Sequence, residues 1–342
     1  MGRHLGGMAW ALVLAPLALA APATAQDFSA GKRVDTPDVA RSLEGADGPA
    51  KGVRSAAPQR SSETSRGFPG ASAAPSFRMI GRSHDGTERV IEPSERVIEA
   101  LKGVRKAEQS RDVIGRDGRS QVQDTTTYPN ITVGFLQTAN AEPKIGLSCT
   151  AAMIGPRIAV TAARCVYDHD VEGGWLETAR FWPALNGEAF IPFGQAEWED
   201  MYILEDFIKA YDGSYDSVWP YDIAVIIFEE PIGEETVGWL GYDSFGDVDS
   251  LDFTLTGYGD GREPWRQYDS TCKVQKADIR ELDILHACDA DYMSAGAPMY
   301  LYDAEEDSYT VVALHQGLLG NRNWALRLTE PLALWIDDLN WR

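Results

Sequence analysis

Ser148-Cys149-Thr150-Ala151-Ala152-Met153-Ile154-Gly155-Pro156-Arg157, continued by Ile158-Ala159-Val160-Thr161-Ala162-Ala163-Arg164-Cys165-Val166-Tyr167, is the stretch that decides the fold. Small and β-branched residues lie on both sides of Gly155-Pro156, which reads as two short strands joined by a turn. Cys149 and Cys165 bracket this unit 16 residues apart, and Cys272 and Cys288 repeat the interval. Four cysteines allow three connectivities. Local pairing, Cys149–Cys165 and Cys272–Cys288, is expected, because strand–turn–strand segments of this length readily bring their ends together. Each bond would add roughly 3 kcal/mol through loop closure. A metal site is the alternative, but there is no C-x-x-C spacing and the five His are scattered. No metal and no cofactor are expected.

The same texture recurs outward. Ile131–Leu136, Ile158–Thr161, Ile223–Phe228, Phe253–Thr256 and Tyr309–Leu314 are short runs rich in β-branched and aromatic residues. Turn signals separate them at Gly173-Gly174, Asn186-Gly187 and Gly257-Tyr258-Gly259-Asp260-Gly261. One helix signal closes the chain: Thr329 as cap, Pro331 near the start, and Leu332, Leu334, Trp335 and Leu339 spaced to pack on a body. Repeated short strands with one terminal helix favour barrels or sandwiches over a βαβ sheet.

The N-terminal third differs. Arg3 and His4 precede an apolar run from Met8 to Ala20, and Ala23-Thr24-Ala25 supplies a small-x-small cleavage pattern. Residues 1–25 therefore read as a signal peptide cut before Gln26, and the protein as secreted or periplasmic, with no membrane span once the signal is removed. Residues 26–112 read as a disordered basic pro-segment or linker, since Ala40–Ser76 is crowded with Ala, Ser, Gly, Pro and Arg. A short helix is expected from Glu95, capped by Ser94, with Val97, Ile98, Leu101 and Val104 on one face.

Charge divides the chain in the same place. Residues 1–112 carry 16 basic and 13 acidic side chains, a net +3, whereas residues 113–342 carry 15 and 39, a net −24. A body of that sign argues against sequence-independent nucleic-acid binding and against docking on anionic lipid.

The quoted stretch resembles the first catalytic region of chymotrypsin-like serine peptidases, and within them the glutamyl-endopeptidase (staphylococcal-protease-like) branch, whose pattern is T-A-[AG]-H-C-V-Y. Asp222-Ile223-Ala224-Val225-Ile226 resembles the strand that carries the triad Asp. Cys288-Asp289-Ala290-Asp291-Tyr292-Met293-Ser294-Ala295-Gly296-Ala297-Pro298-Met299 resembles C-D-T-x-G-G-x-S-G-S-P-V, around the nucleophile. Val312–Gly317 and Asn323–Leu328 match the later pocket strands, and Val113–Arg119 resembles the mature N-terminus. The resemblance implies an all-β fold of two six-stranded Greek-key barrels with a C-terminal helix. The peptidase domain would span 113–342, with barrels at about 113–240 and 241–330 and the helix at about 331–341.

Carried over position by position, the family's site is substituted. Asp222 keeps the triad Asp. Arg164 stands where the general-base His belongs, and a guanidinium stays protonated and has no lone pair to accept a proton. Ala295 stands at the nucleophile, and Met293 at the Gly whose N–H helps form the oxyanion hole. His315 matches the His that contacts an acidic P1 side chain, or else is a satisfied core His, and Ala290 replaces the pocket Thr. Sliding the register makes Ser294 a nucleophile, but Gly296 and Pro298 fit without a shift. His169 would be a substitute base or, more simply, an exposed loop His. Arg164 would either pair with Asp222 or swing out to solvent.

These readings imply an inactive peptidase homologue (a pseudopeptidase) with a peptide or protein ligand in the inter-barrel cleft. The alternatives are an active glutamyl endopeptidase with a non-standard base or nucleophile, and a structural protein that keeps only the fold. Processing of the leader is expected near Val113, after Arg111-Asp112.

Overall fold

A computed structural model describes residues 76–101, 118–140, 145–171, 174–259, 265–319 and 322–340. The signal segment, the junction at Val113 and helix position Val104 lie outside the described residues.

Strands β1 (Met79–Ser83) and β2 (Glu88–Ile91) form a hairpin, followed by helix α1 (Glu95–Leu101) and the short β3 (Ser120–Gln121). The N-terminal barrel uses β4 (Val133–Asn140), β5 (Ile145–Met153), β6 (Ile158–Thr161), β7 (Thr178–Pro183), β8 (Ala196–Leu204) and β9 (Ala224–Phe228). Its order is β8-β7-β4-β5-β6-β9, and β8–β9 pairing closes the ring. A five-residue helix, α2 (Glu205–Lys209), follows β8 and starts the long connection to β9.

The second sheet contains β10 (Gly241–Tyr242), β11 (Ser250–Gly259), β12 (Arg266–Gln275), β13 (Asp283–His286), β14 (Pro298–Asp303), β15 (Ser308–Leu319) and β16 (Arg322–Arg327). Six of these run in the order β13-β16-β15-β14-β11-β12. Among the described residues its end strands share no ladder; the Cys272–Cys288 disulfide spans that gap instead. β3 pairs with β12, so after the β1–β2 hairpin the chain adds a strand to the second sheet before starting β4. Helix α3 (Glu330–Asn340) ends the described chain, with Leu332, Trp335 and Leu339 buried as its spacing predicts, Leu334 only half-buried, and Ile336 buried in addition. This is the two-barrel chymotrypsin-like fold that the resemblance implies.

Two expectations need correction. The leader is ordered over 76–101: Phe77, Met79 and Val97 are buried, and β1 pairs with β8 from Met79↔Leu204 to Ser83↔Asp200. Composition averaged over the leader hid an Asp85-Gly86 hairpin signal, where Gly86 takes φ +86° and donates its N–H to the Ser83 carbonyl (2.8 Å). α1 forms where its cap and spacing place it, although Ile98 faces solvent. Gly257 and Gly259 lie inside β11, not in a turn. A Cβ on Gly259 would sit 2.8 Å from that of Asp291, so this glycine admits the neighbouring loop.

Candidate active site

Pairing of β6 with β9 (Thr161↔Ala224) brings the residues just beyond their ends together. Arg164 sits in a 3-10 turn after β6, and Asp222 follows a similar turn before β9. Arg164 folds inward. Its backbone N–H donates to Asp222 Oδ1 at 2.9 Å, and its Nε and Nη2 both face Oδ2. The side chains are 3% and 0% exposed, which excludes the swung-out alternative. Tyr215, on the long connection before β9, places its ring 5.4 Å from the guanidinium carbon, and Gln316 Nε2 donates to the Asp222 carbonyl (2.7 Å). Both carboxylate oxygens are thus occupied. The group that would orient an imidazole in a triad here neutralises a cation that can neither accept nor relay a proton.

The other half of the site is the Asp291–Gly296 loop. Tyr292–Ser294 form a 3-10 turn, capped by Asp291 Oδ1 on the Tyr292 N–H at 2.8 Å. Ala295, at the position that the resemblance gives to the nucleophile, is buried and carries only a methyl. Gly296 follows with φ +80°; a Cβ there would lie 2.2 Å from Thr161 Oγ1 and 2.6 Å from the Thr150 carbonyl oxygen, so this position must remain glycine. Ser294 is buried and hydrogen-bonded within the protein. Its Oγ donates to the Tyr258 carbonyl (2.8 Å) and accepts the Asp291 N–H (3.2 Å).

Thr150, inside the quoted stretch but given no role by it, ties the two halves together. From β5 it donates its N–H to the Ala295 carbonyl (2.9 Å) and its hydroxyl to the Met293 carbonyl (2.9 Å), while accepting the Tyr258 N–H (3.0 Å). Met293 is itself buried and belongs to the larger hydrophobic core cluster.

His315 lies on β15, fully buried, with Nδ1 3.2 Å from Nε2 of His286 on β13. Burial pushes both imidazoles down, His286 to about 3, with the Arg322 charge adding to the effect. Sequence reasoning missed His286; its signal was its place two residues before Cys288. Ala290 is half-buried at the edge of the second core. His169 is not an exposed loop residue. It stacks on Tyr211 (3.8 Å between centroids, 1° between planes), with Tyr167, Phe207 and Tyr215 around it, and burial lowers its pKa.

Both disulfides are the local pairs, Cys149–Cys165 and Cys272–Cys288. His286 lies close to Cys272 and Cys288, but their sulfurs are bonded to each other and offer no thiolate to a metal. No helix among the described residues is long and apolar enough to cross a membrane.

No family model matches the chain. It is 27% identical over 294 residues to the glutamyl endopeptidase of Bacillus licheniformis, covering 83% of this chain and 86% of that one. It is 24% identical over 226 residues to a Bacillus subtilis protein named extracellular metalloprotease, covering 66% and 68%. Among solved structures, a Glu endopeptidase superposes with TM-score 0.57 at 21% identity, over 68% of this chain and 100% of that one. The chain is a homologue of glutamyl endopeptidase and has the chymotrypsin-like serine peptidase fold.

Proposed function

We propose that this homologue is an exported pseudopeptidase: it does not cleave peptide bonds and uses the cleft between its barrels to hold a peptide or protein ligand. The observation that carries this reading is the occupation of both Asp222 carboxylate oxygens by Arg164. Acyl transfer in this fold needs a hydroxyl nucleophile, a base that removes its proton, and a carboxylate that orients the base. Ala295 supplies no hydroxyl and Arg164 no base. The two rescues considered in the sequence lose support as well: the Ser294 hydroxyl is committed to the Tyr258 carbonyl, and His169 is held in an aromatic stack. The apolar segment at Met8–Ala20 and the two disulfides support export to an oxidising compartment.

A fluorophosphonate probe tests the chemistry, with an active glutamyl endopeptidase as positive control. We expect no labelling and no hydrolysis of Glu-X peptides; labelling with steady turnover would overturn the reading. Ligand binding is tested separately by retention of a random-peptide library on the immobilised protein. Retention without cleavage is the expected result, whereas no retention at any composition would favour a purely structural role.

A further inference from the structure

The barrel seam between β7 and β8 is short. β7 pairs with β8 only at Arg180↔Glu197 and Phe181↔Ala196, while β9 runs along the opposite edge of β8 from Trp198 to Ile203. The remainder of the first edge, from Asp200 to Leu204, takes β1 from the leader. An unpaired strand edge there would expose a row of N–H and C=O groups to any other chain. The leader covers it in the manner of strand addition, with main-chain bonds along the edge and side chains anchoring on either side.

The anchors are specific. Gly81 passes so close to Tyr202 that a Cβ would lie 2.4 Å from the ring, so any other residue here would require the ring to shift. Met79 and Phe77 are buried on the barrel, and the Glu205 N–H donates to the Arg78 carbonyl (2.8 Å). Asp206 receives the N–H groups of Ser76 (2.8 Å) and Phe77 (3.1 Å). Arg89 pairs with Asp200. Beyond the hairpin, α1 buries Val97 and reaches α3, where Arg96 meets Asp338 at 2.8 Å. The leader's basic residues thus meet the acidic body at defined partners.

We propose that residues 76–101 are a permanent strand-and-helix strap of the peptidase body. Cutting the chain between Leu101 and Gly118 leaves the strap bound, so the processed protein is a non-covalent two-chain complex and not a body freed of its leader. The β8 edge is the interaction surface, and its partner is this antiparallel segment of the same chain. Retention of the strap does not depend on whether the cleft is catalytic.

The test uses the full-length protein with a site-specific protease sequence replacing residues 106–111. After cutting, native size-exclusion is followed by denaturing mass measurement of the body fraction. At least nine-tenths of the leader fragment is expected to co-elute, at low salt and in 1 M NaCl alike, because the ladder and the buried Phe77, Met79 and Val97 do not depend on screened charges. Release of the fragment on cutting overturns the proposal, as does release by salt. Gly81→Val removes the close approach to Tyr202. It is expected to fold while uncut and to lose at least tenfold more fragment once cut, and unchanged retention would overturn the assignment of β1 as the anchor. Should Gly81→Val fail to accumulate, Phe77→Ser is read against the same two outcomes.

Discussion

The hydroxyl of Thr150 donates to the carbonyl of Met293 at 2.9 Å, which fixes the peptide next to the nucleophile position from the opposite barrel. The same threonine holds the Ala295 carbonyl through its N–H. A loop fastened at two carbonyls presents whatever side chain stands at 295 in one place, so restoring chemistry is a matter of side chains added in order.

Ala295→Ser alone supplies a hydroxyl that Arg164 cannot deprotonate, and Arg164→His alone supplies a base with nothing to activate. Neither single variant is expected to hydrolyse Glu-X peptides. The pair completes a triad with Asp222 and should give faint activity, limited by Met293. A lost oxyanion donor costs about 2.7–4 kcal/mol, roughly a hundred- to a thousandfold in rate. Adding Met293→Gly should therefore raise kcat clearly, and the steps should be strongly non-additive because triad members act as a unit. Steady-state kinetics on the four variants decides; a folded but silent triple variant would place further damage at Ala290 and its neighbours.

Breaking the buried Arg164–Asp222 pair should cost stability and nothing else. Removing one partner of a fully buried pair leaves an uncompensated charge, which costs about 3–5 kcal/mol. Arg164→Met and Asp222→Asn are each expected to fall in that range by denaturant unfolding. Arg164→Met with Asp222→Asn should recover a large part of the loss, because no buried charge remains and the introduced amide oxygen can still accept the backbone N–H of residue 164. Additive losses in this cycle would mean that the pair is not coupled.

Ser294→Ala separates a structural serine from a nucleophile. The variant strands the Tyr258 carbonyl and the Asp291 N–H, and should lose about 1–3 kcal/mol of stability. Since the unmutated protein is expected not to react with a fluorophosphonate, labelling should be at background for both. Labelling of the natural protein that disappears in Ser294→Ala would shift the register by one residue and restore an active-enzyme reading.

The barrels were legible because strand runs, turn glycines and cysteine intervals are local signals. Ile158–Thr161 is β6 to the residue, and both disulfides close the units that their spacing outlines. The substitutions at 164, 293 and 295 rest on the resemblance alone, as changes of residue type within its pattern. What could not be read was direction in space. Arg164 had two rotamer fates, and burial beneath Tyr215 selected one. The loop position of His169 suggests exposure, but its neighbours Phe207, Tyr211 and Tyr215 come from the connection after β8. The leader strand escapes a local reading because its partner, β8, lies more than a hundred residues away and its own composition is weakly apolar.

The buried imidazoles give the last prediction, acid sensitivity at the second sheet. Burial holds His286 to about 3 and His315 well below its ordinary range, against about 6.5 in the unfolded chain. Between those values the unfolded state binds more protons, so stability rises with pH there. Their stabilisation is fully present above about pH 6.5 and is lost as pH falls toward 3, with a slope of up to about 1.4 kcal/mol per pH unit for each imidazole. Asp269 and Asp283 act in the opposite sense. Burial raises both carboxyls, partly offset at Asp269 by bonds from Thr256 and Asn130 and at Asp283 by Arg280. They retain protons that the unfolded chain releases, so they favour the folded state as pH falls through their raised values. The net curve should therefore fall as pH drops below about 6.5 and flatten where the two raised carboxyls begin to take up protons. His286→Gln removes one titration while leaving His315 a polar partner, and should lower stability at pH 7 but make the decline from pH 7 to 5 shallower. Unfolding free energies across that range that run parallel for the two proteins would show that the His pair does not set the acid limb.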